Sequence, residues 1–297
     1  MSHQKSIFFN LLLVSAMVTW GISWASGKVL SNYAEPEVII FWRFLATFLS
    51  LFPIVILFKE SFRLTFQSFL YVSLGAIFYL IYNQFFFEGL KSGLAGAGGV
   101  LVTTLNPILT FLLITIAKKT WLSVKESIGL GIGIFGGIVL LELYDGNFRK
   151  IFISGNLYFL FASLTWAFLT ITGQKSKEKI HPIVFSFYVY FFSTLIDFFL
   201  AIPYKIEKVF SFDSIFWWNI FYLSVISTTF GTTVYFFASG KLGSKRASTF
   251  IFIVPFTALV SANIFLGEEL KVSTILGGSL AVLAVFILNK KSVSIRK

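Results

Sequence analysis

The sequence predicts an all-α integral membrane protein with ten transmembrane helices. Of its 297 residues, 57% are hydrophobic and only 12% are charged, whereas about 25% of the residues in a soluble domain are charged. The apolar residues also form ten stretches of about the length that a helix needs to cross roughly 30 Å of hydrocarbon. Both observations indicate that lipid surrounds most of this chain.

The ten predicted spans follow one another with short separating segments. The first five cover residues 7–30, 38–58, 67–87, 94–117 and 127–143. Charges, proline or glycine end these helices, at Glu35-Pro36, Lys59-Glu60, Glu88-Gly89 and Lys118-Lys119. The second five cover residues 153–173, 183–203, 215–239, 247–266 and 272–288. Their separators are Asp145-Gly146, Lys177-Glu178, Lys205, Lys245-Arg246 and Glu268-Glu269.

The basic residues predict the orientation of the chain. With the N-terminus in the cytoplasm, 16 Lys and Arg residues fall on the inner side and seven on the outer side. Because positively charged loops stay in the cytoplasm, both termini are predicted to be cytoplasmic. This distribution accounts for the net charge of +11, so no nucleic acid partner is expected.

The composition excludes several kinds of chemistry. The chain has no Cys and two His, so disulfides, thiolate metal sites and His-based metal or catalytic sites are not expected. No loop is long enough for a nucleotide-hydrolysing domain. We therefore predict no catalytic residues, no metal and no cofactor. An intramembrane enzyme is the least favoured function, because paired carboxylates and Ser/His constellations are missing at membrane depth.

The glycine-rich fifth span has a structural explanation. Residues 131–136 match a dinucleotide-binding pattern, but they follow no strand and lie within an apolar span. Gly129, Gly133 and Gly137 recur at four-residue spacing. This spacing predicts that a neighbouring helix approaches closely along that face.

The two halves of the chain resemble each other. At an offset of 146 residues, Trp20 aligns with Trp166 and Pro36 with Pro182, and at an offset of 148 Pro107 aligns with Pro255. The period predicts two five-helix repeats, residues 1–147 and 148–297. Because five is odd, the copies enter the bilayer in opposite orientations. Inverted repeats are typical of secondary transporters, whose sites lie at mid-depth between the halves.

Several short motifs resemble the EamA-type proteins of the drug/metabolite transporter superfamily, and the resemblance covers the whole chain. They are Thr19-Trp20-Gly21, Phe41-Trp42-Arg43-Phe44, Gly89-Leu90-Lys91, Asn106-Pro107, Val254-Pro255-Phe256 and Gly267-Glu268-Glu269-Leu270. The first half departs from the pattern, since Lys119-Thr120-Trp121-Leu122 replaces the acidic turn. The resemblance implies a ten-helix exporter or exchanger of small metabolites in a bacterial inner membrane.

Two ionisable residues lie well inside the predicted spans, away from the span ends, where charges usually serve function. Arg43 and Asp197 are predicted at equal depth, roughly 8 to 9 Å below the outer boundary. Either they form an ion pair that holds an outer gate or receives a substrate carboxylate, or Arg43 reaches the headgroups and Asp197 faces a wet vestibule. Asp197 is also the only acidic residue well inside a span, since Glu142 lies at the end of the fifth, so it is the obvious proton carrier for proton-coupled transport. A facilitator or exchanger needs none.

Polar and aromatic side chains near the predicted midplane form the expected substrate site. Indole rings offer a π-face and an N–H donor, and hydroxyl and amide groups can orient a polar substrate. The predicted substrate-binding residues are Trp20, Trp24, Asn106, Trp166, Ser227, Thr228, Thr229 and Thr232. The predicted outer vestibule or gate consists of Arg43, Tyr82, Asn83, Gln84 and Asp197. The alternatives are Trp packing, interhelical hydrogen bonds, and Thr hydroxyls bonded to their own helix.

Two prolines are predicted hinges beside this site. Pro107 and Pro255 lack an amide hydrogen, which frees the carbonyls of Thr103 and Ile251 and bends or breaks a helix. The alternative is a simple packing kink.

The predicted function is secondary transport of a small organic metabolite, such as an amino acid or related compound, outward or in exchange by alternating access. The partners are the substrate, membrane lipid and, in the coupled case, protons. The alternative within transport is a flippase for a lipid-linked or amphipathic molecule.

Overall fold

A computed structural model describes residues 3–153, 155–242, 247 and 250–289, and this part of the chain is almost entirely helical. The first half contains α1 His3–Leu30, α2 Pro36–Leu57, α3 Phe66–Ser92, α4 Ala95–Ala117 and α5 Val124–Leu140. The second half contains α6 Asn156–Ser176, α7 Pro182–Ala201, α8 Ser214–Phe221, a π-helical segment Tyr222–Phe230, α9 Gly231–Leu242, α10 Ile253–Leu266 and α11 Val272–Asn289. Helices satisfy their own backbone polar groups, as lipid requires.

Each of the ten predicted spans overlaps a helical stretch of the described chain. Within the described residues, seven helical stretches are long and apolar enough to cross a membrane. The apolar helices Phe250–Leu266 and Val272–Leu288 are shorter, and α5 has 17 residues. Of the predicted ninth span, residues 248 and 249 lie outside the described residues. So do the predicted cytoplasmic residues Lys245, Arg246, Lys290, Lys291, Arg296 and Lys297.

Two predicted spans differ from the helices observed. The third span was predicted to end at residue 87, but α3 continues to Ser92 because its late charges lie at the exposed helix end, where Lys91 pairs with Glu35 at 2.5 Å. The eighth span was predicted as one regular helix. Instead, nine of its residues, Tyr222–Phe230, form a π-helical segment between α8 and α9.

The loops at one end of the helix bundle form a surface that we call the Glu268 face. It consists of residues 31–35, 93–94, 141–153, 202–213 and 267–271. Contacts between the loops define it. Tyr33 donates to Asp213 Oδ1 at 2.8 Å, and Ser273 donates to Glu142 Oε1 at 2.8 Å. The Ser273 hydroxyl, and then Lys271, hold the pKa of Glu142 below its usual value. The Glu268 carboxylate binds the start of α4.

The opposite surface, which we call the His181 face, carries residues 58–65, 118–123 and 177–181. Here Ser68 donates to the carbonyl of Lys179 at 3.0 Å, and His181 Nε2 lies 3.6 Å from Glu60 Oε1. The end of α11 reaches the start of α5 on this face, since Leu288 lies beside Gly129. Loops therefore alternate between the two faces along the described chain, as expected for helices that run up and down.

The helices begin where the sequence supplies start signals. Pro36 and Pro182 occupy the first turns of α2 and α7, where the missing amide hydrogen costs nothing. Thr65 caps α3 by accepting from Ser68 N, and Ser123 and Glu126 form a reciprocal capping box at α5. The second helix of each predicted repeat, α2 or α7, therefore begins with a proline.

The predicted glycine contact exists between α5 and α11, with one correction. A β-carbon added to Gly136 would lie 2.9 Å from the carbonyl oxygen of Gly277, whereas one added to Gly137 would meet no described atom within 4 Å. Gly129 and Gly133 face Leu288 and Ala284, as predicted. The contact face is therefore 129, 133 and 136. An advance of seven residues is nearly two full turns, whereas eight overshoots.

The two predicted hinge prolines lie in different surroundings. Pro107 lies inside α4, which stays helical on both sides of it. Pro255 lies in the first turn of α10, directly after a 3₁₀ turn at Phe250–Phe252. The start of a helix tolerates proline without loss of a hydrogen bond, so Pro255 marks a change of helix type rather than a break in a continuous helix. A hinge role for both stays a prediction.

Candidate functional site

Arg43 is a residue of α2 whose side chain points toward α3. It is almost fully buried, with 8% of its surface exposed. Its guanidinium donates to the side-chain oxygen of Asn83, and Asn83 in turn donates to the carbonyl of Tyr79 at 2.8 Å. The Nε atom of Arg43 has no hydrogen-bond partner among the described residues. A buried cation with an unused donor can receive an anionic or carbonyl group.

Asp197 on α7 has no exposed surface. Gln84 Nε2 approaches its Oδ1 atom at 3.4 Å, and its Oδ2 atom has no partner among the described residues. A carboxyl in this position is desolvated and incompletely hydrogen-bonded, which is costly for the charged form.

The structure shows no ion pair between Arg43 and Asp197 within the described chain. The two bind successive residues of α3, Asn83 and Gln84, which point about 100° apart around a helix. Equal depth in the membrane is therefore not enough to form an ion pair, because the side chains of Arg43 and Asp197 reach α3 from different directions. Asp197 and Asn83 are both completely buried in this state, and a vestibule around them stays a prediction.

A pair of tyrosines extends the group around Arg43. The hydroxyl oxygens of Tyr79 and Tyr190 lie 2.6 Å apart, and the Phe44 ring packs against both tyrosine rings. We call Arg43, Tyr79, Asn83 and Tyr190 the Arg43 cluster. Neither tyrosine was among the predicted site residues. The spacing of Tyr79 one turn before Asn83 on α3 could have indicated the first of them.

The π-helical segment lies against α2. Ser224 donates to the carbonyl of Arg43 at 3.0 Å, and the hydroxyls of Ser50 and Thr229 lie 2.7 Å apart. Thr228 and Thr229 each donate to a carbonyl five residues earlier. Their hydroxyls therefore bond to their own backbone, the alternative considered from the sequence. π-Helical turns are rare and occur often at functional sites.

Trp20 connects α1 to the same segment. Its indole N–H donates to the carbonyl of Ser227 at 2.9 Å, and Tyr222 donates to the carbonyl of Thr19 at 3.2 Å. A β-carbon at Gly231 would lie 2.5 Å from Trp20 Nε1. A glycine is therefore required for the indole to fit beside the π-helical segment.

The other two predicted tryptophans are connected through the rings of Phe86 and Tyr82. Trp24 is only 3% exposed and packs edge-to-face on Phe86, with ring centres 4.8 Å apart. Trp166 packs edge-to-face on Tyr82 at 4.3 Å, and Tyr82 contacts Phe86 at 5.8 Å. The guanidinium carbon of Arg43 lies 6.0 Å from the same Phe86 ring. We call Trp24, Tyr82, Phe86 and Trp166 the Phe86 cluster.

The structure thus brings most of the predicted site residues into contact and leaves two apart. Asn106 is half-buried and accepts from Thr110 at 2.9 Å, and Thr232 is half-buried on α9. Phe86 was missed, because a single Phe among 39 carries no signal of its own. The described residues contain no group of three or more His, Cys, Asp and Glu that could hold a metal ion.

Apolar helices of membrane-spanning length, with polar and aromatic clusters buried between them, define a multi-pass helical membrane protein. The family model described as EamA-like transporter family matches residues 7–142 and again residues 153–290. The chain belongs to this family of the drug/metabolite transporter superfamily, and it is a transporter rather than an enzyme.

Named relatives match over nearly their whole length. An uncharacterized transporter of Archaeoglobus fulgidus is 25% identical, with 95% of this chain and 98% of the relative covered. A probable amino-acid metabolite efflux pump of Salmonella typhimurium is also 25% identical, with 96% and 94% covered. Its namesake in Escherichia coli is 24% identical, with 94% and 93% covered. A crystal structure with 17% identity and a TM-score of 0.62 covers 96% of both chains and shares the fold.

Proposed function

We propose that this protein is a secondary transporter that exports or exchanges a small organic metabolite, such as an amino acid, across the inner membrane by alternating access. The family supports transport, and the printed names of the two bacterial relatives support amino acid metabolites as the substrate class. A gradient drives the flux, because the short loops leave no room for an ATP-hydrolysing domain.

The proposal rests above all on a reciprocal contact between the halves. Trp42 on α2 donates to the carbonyl of Ile206 at 3.0 Å. Tyr188 on α7, at an offset of 146 residues, donates to the carbonyl of Phe62 at 2.6 Å. Each side chain reaches the loop that follows the second helix of the other half, one on the Glu268 face and one on the His181 face.

Further contacts fit the same two-fold relation. Phe44 and Tyr190 also differ by 146 residues, and their rings pack on each other at 5.6 Å. α2 packs on α7, α4 on α10 and α5 on α11; each of these pairs joins equivalent helices. We therefore propose ten crossings arranged as two inverted five-helix repeats, residues 1–147 and 148–297. The His181 face and both termini are then cytoplasmic, as the basic residues indicate.

The substrate would bind between the halves, where α1 and α6 carry Trp20 and Trp166. These tryptophans are half-buried and aligned across the proposed repeat. Trp20 contacts the π-helical segment, and Trp166 belongs to the Phe86 cluster. Trp24, Asn106, Ser227, Thr228, Thr229 and Thr232 complete the proposed site, with Pro107 and Pro255 as its hinges. Tyr82, Asn83, Gln84, Arg43 and Asp197 would line the outer vestibule when it opens.

Counterflow in proteoliposomes tests this function. Vesicles loaded with one unlabelled amino acid at a time should accumulate the same labelled compound, and protein-free vesicles should not. Arg43→Gln should reduce the accumulation, while Arg149→Gln on the exposed Glu268 face serves as the matched control. If no amino acid is exchanged and labelled lipid crosses the bilayer instead, the protein is a flippase and the proposal is wrong.

Asp197 is the proposed proton carrier in a coupled mechanism, because it is the acidic residue buried among the helices next to the Arg43 cluster. An imposed pH gradient should then drive net flux in the wild type. Asp197→Asn should abolish that net flux but keep counterflow, and Asp145→Asn on the exposed Glu268 face should behave as the wild type. A wild-type flux that ignores the gradient would identify a facilitator or exchanger.

A further inference from the structure

Two opposite charges hold the tight turn between α3 and α4. Lys28, near the end of α1, donates its ammonium hydrogens to the carbonyls of Leu90 and Gly93, the last of which lies 3.0 Å away. Glu268, after α10, accepts from the amides of Ala95 at 2.7 Å and Gly96 at 2.9 Å. A cation therefore ends α3 and an anion begins α4.

The signs of these charges match the helix ends they bind. A helix has unpaired carbonyls and partial negative charge at its C-terminus, and unpaired amides and partial positive charge at its N-terminus. Leu94 precedes α4 and supplies no side-chain cap within the described chain, so Glu268 takes the place of a capping residue. The opposite charges of Lys28 and Glu268 also attract each other, although the two side chains form no ion pair among the described residues.

The Glu268 contacts join the two halves of the bundle. Glu268 belongs to the second half, whereas Lys28 and the α3–α4 turn belong to the first. Gly267 ends α10 in the left-handed conformation, with φ +66°, which turns the chain toward α4. Small residues let the elements approach, since a β-carbon added to Gly96 would lie 3.2 Å from the Ala262 side chain. The α3–α4 turn on the Glu268 face is therefore fastened to the second half.

The aligned counterparts of Lys28 and Glu268 in the other half carry no charge. The internal alignment pairs Lys28 with Gln174 at an offset of 146 and Glu268 with Thr120 at an offset of 148, and both counterparts are neutral. Residues 118–122 are exposed along their whole length, with Trp121 at 98%. A cavity of about 450 Å³ opens beside them, lined by Thr115, Lys119 and Trp121 among others.

We propose that Lys28 and Glu268 form a latch that holds the Glu268 face closed in the resting transporter. The proposal rests on alternating access and on the inverted repeat. With the His181 face in the cytoplasm, the latch would keep the outer side of the transporter closed until transport opens it.

Cysteine labelling tests the latch, because the chain has no Cys of its own. Ala262→Cys places a reporter under the latch, at a position that is buried in the closed state, and Thr115→Cys places one in the cavity of the His181 face. In purified protein without substrate, a maleimide should label position 262 slowly and position 115 quickly. Glu268→Gln should accelerate labelling at 262 about two- to fivefold, the change expected on losing a charge at a helix terminus, and should leave labelling at 115 unchanged.

Glu269→Gln is the matched control. Glu269 is the exposed neighbour, its change removes the same charge, and its side chain makes no ion pair or hydrogen bond within the described chain, so labelling should not change. Lys28→Gln should act in the same direction as Glu268→Gln, and it decides the question if Glu268→Gln does not fold, as judged by its elution profile and unfolding temperature.

Unchanged labelling at position 262 in the folded latch variants would overturn the proposal. So would an equal acceleration in Glu269→Gln, or a wild type in which position 262 is the faster one. These measurements need no substrate. A protein that transports none of the tested compounds can therefore still confirm or refute the latch.

Discussion

A charged side chain inside an apolar bundle needs a partner, and in this protein each of the two buried charges finds an amide on α3. Their burial could be predicted from the sequence, since Arg43 and Asp197 lie within apolar runs. Their partners could not, because the direction of each side chain depends on how α2 and α7 rotate against α3. The same limit hid Tyr190 and Phe86, whose roles come only from packing.

At this scale, Asn83→Leu should destabilise the protein by about 2 to 4 kcal/mol, because the guanidinium of Arg43 loses its acceptor while it stays buried. Thermal unfolding in detergent measures the effect. Gln67→Leu makes the same change at an exposed position of α3 and should be nearly neutral. Equal unfolding temperatures for the two variants would show that the bond to Arg43 contributes little.

Trp20→Phe should slow counterflow about fivefold and lower stability by no more than about 1 kcal/mol. The ring remains, but the carbonyl of Ser227 loses its N–H donor, a neutral hydrogen bond of ordinary strength. Trp218→Phe, on an exposed tryptophan, is the control. Wild-type counterflow in Trp20→Phe would remove the indole N–H from the transport mechanism.

At the scale of the helix, the order and limits of the elements follow closely from the sequence, because apolar length and charged separators determine where a chain can cross lipid. The π-helical segment is the main exception. No proline or glycine marks Tyr222–Phe230 internally, and the i→i+5 hydrogen bonds are made by residue types that also form regular helices. The π-helical segment contacts α1 and α2. Local sequence propensity does not predict this helix type.

The contact between α5 and α11 gives an element-scale prediction. Gly136→Val should destabilise the protein by about 1 to 3 kcal/mol, because the new side chain overlaps the backbone of Gly277 and Ala281 and must push the helices apart. Gly131→Val lies on the same helix with no described atom within 4 Å, and it should leave the unfolding temperature unchanged. Similar losses in both variants would point to helix propensity instead of packing.

At the scale of the whole molecule, the proposed two-fold relation is supported in the sequence only by a few aligned Trp, Gly and Pro residues. The structure adds the contacts of Trp42 and Tyr188. Because one residue is Trp and the other is Tyr, an alignment based on identical residues does not detect this pair. The direction of the membrane crossing remains a prediction from the basic residues alone.

Single-cysteine labelling of intact cells measures that orientation. Ser211→Cys, on the Glu268 face, should react with an impermeant maleimide, and Ser61→Cys, on the His181 face, should react only after the cells are permeabilised. Both positions are exposed, and the native chain contributes no thiol. The reverse pattern would place the termini outside.

The Glu268 cap also has a consequence for biosynthesis. The amide of Ala95 and its acceptor are 173 residues apart in the chain, so the ribosome completes all of the first half and most of the second before the start of α4 receives its anion. Until then the newly inserted α4 keeps unpaired amides at its first turn. Final assembly at that end of the protein therefore has to wait for the last hairpin, and a nascent chain stalled before it should remain sensitive to proteases there.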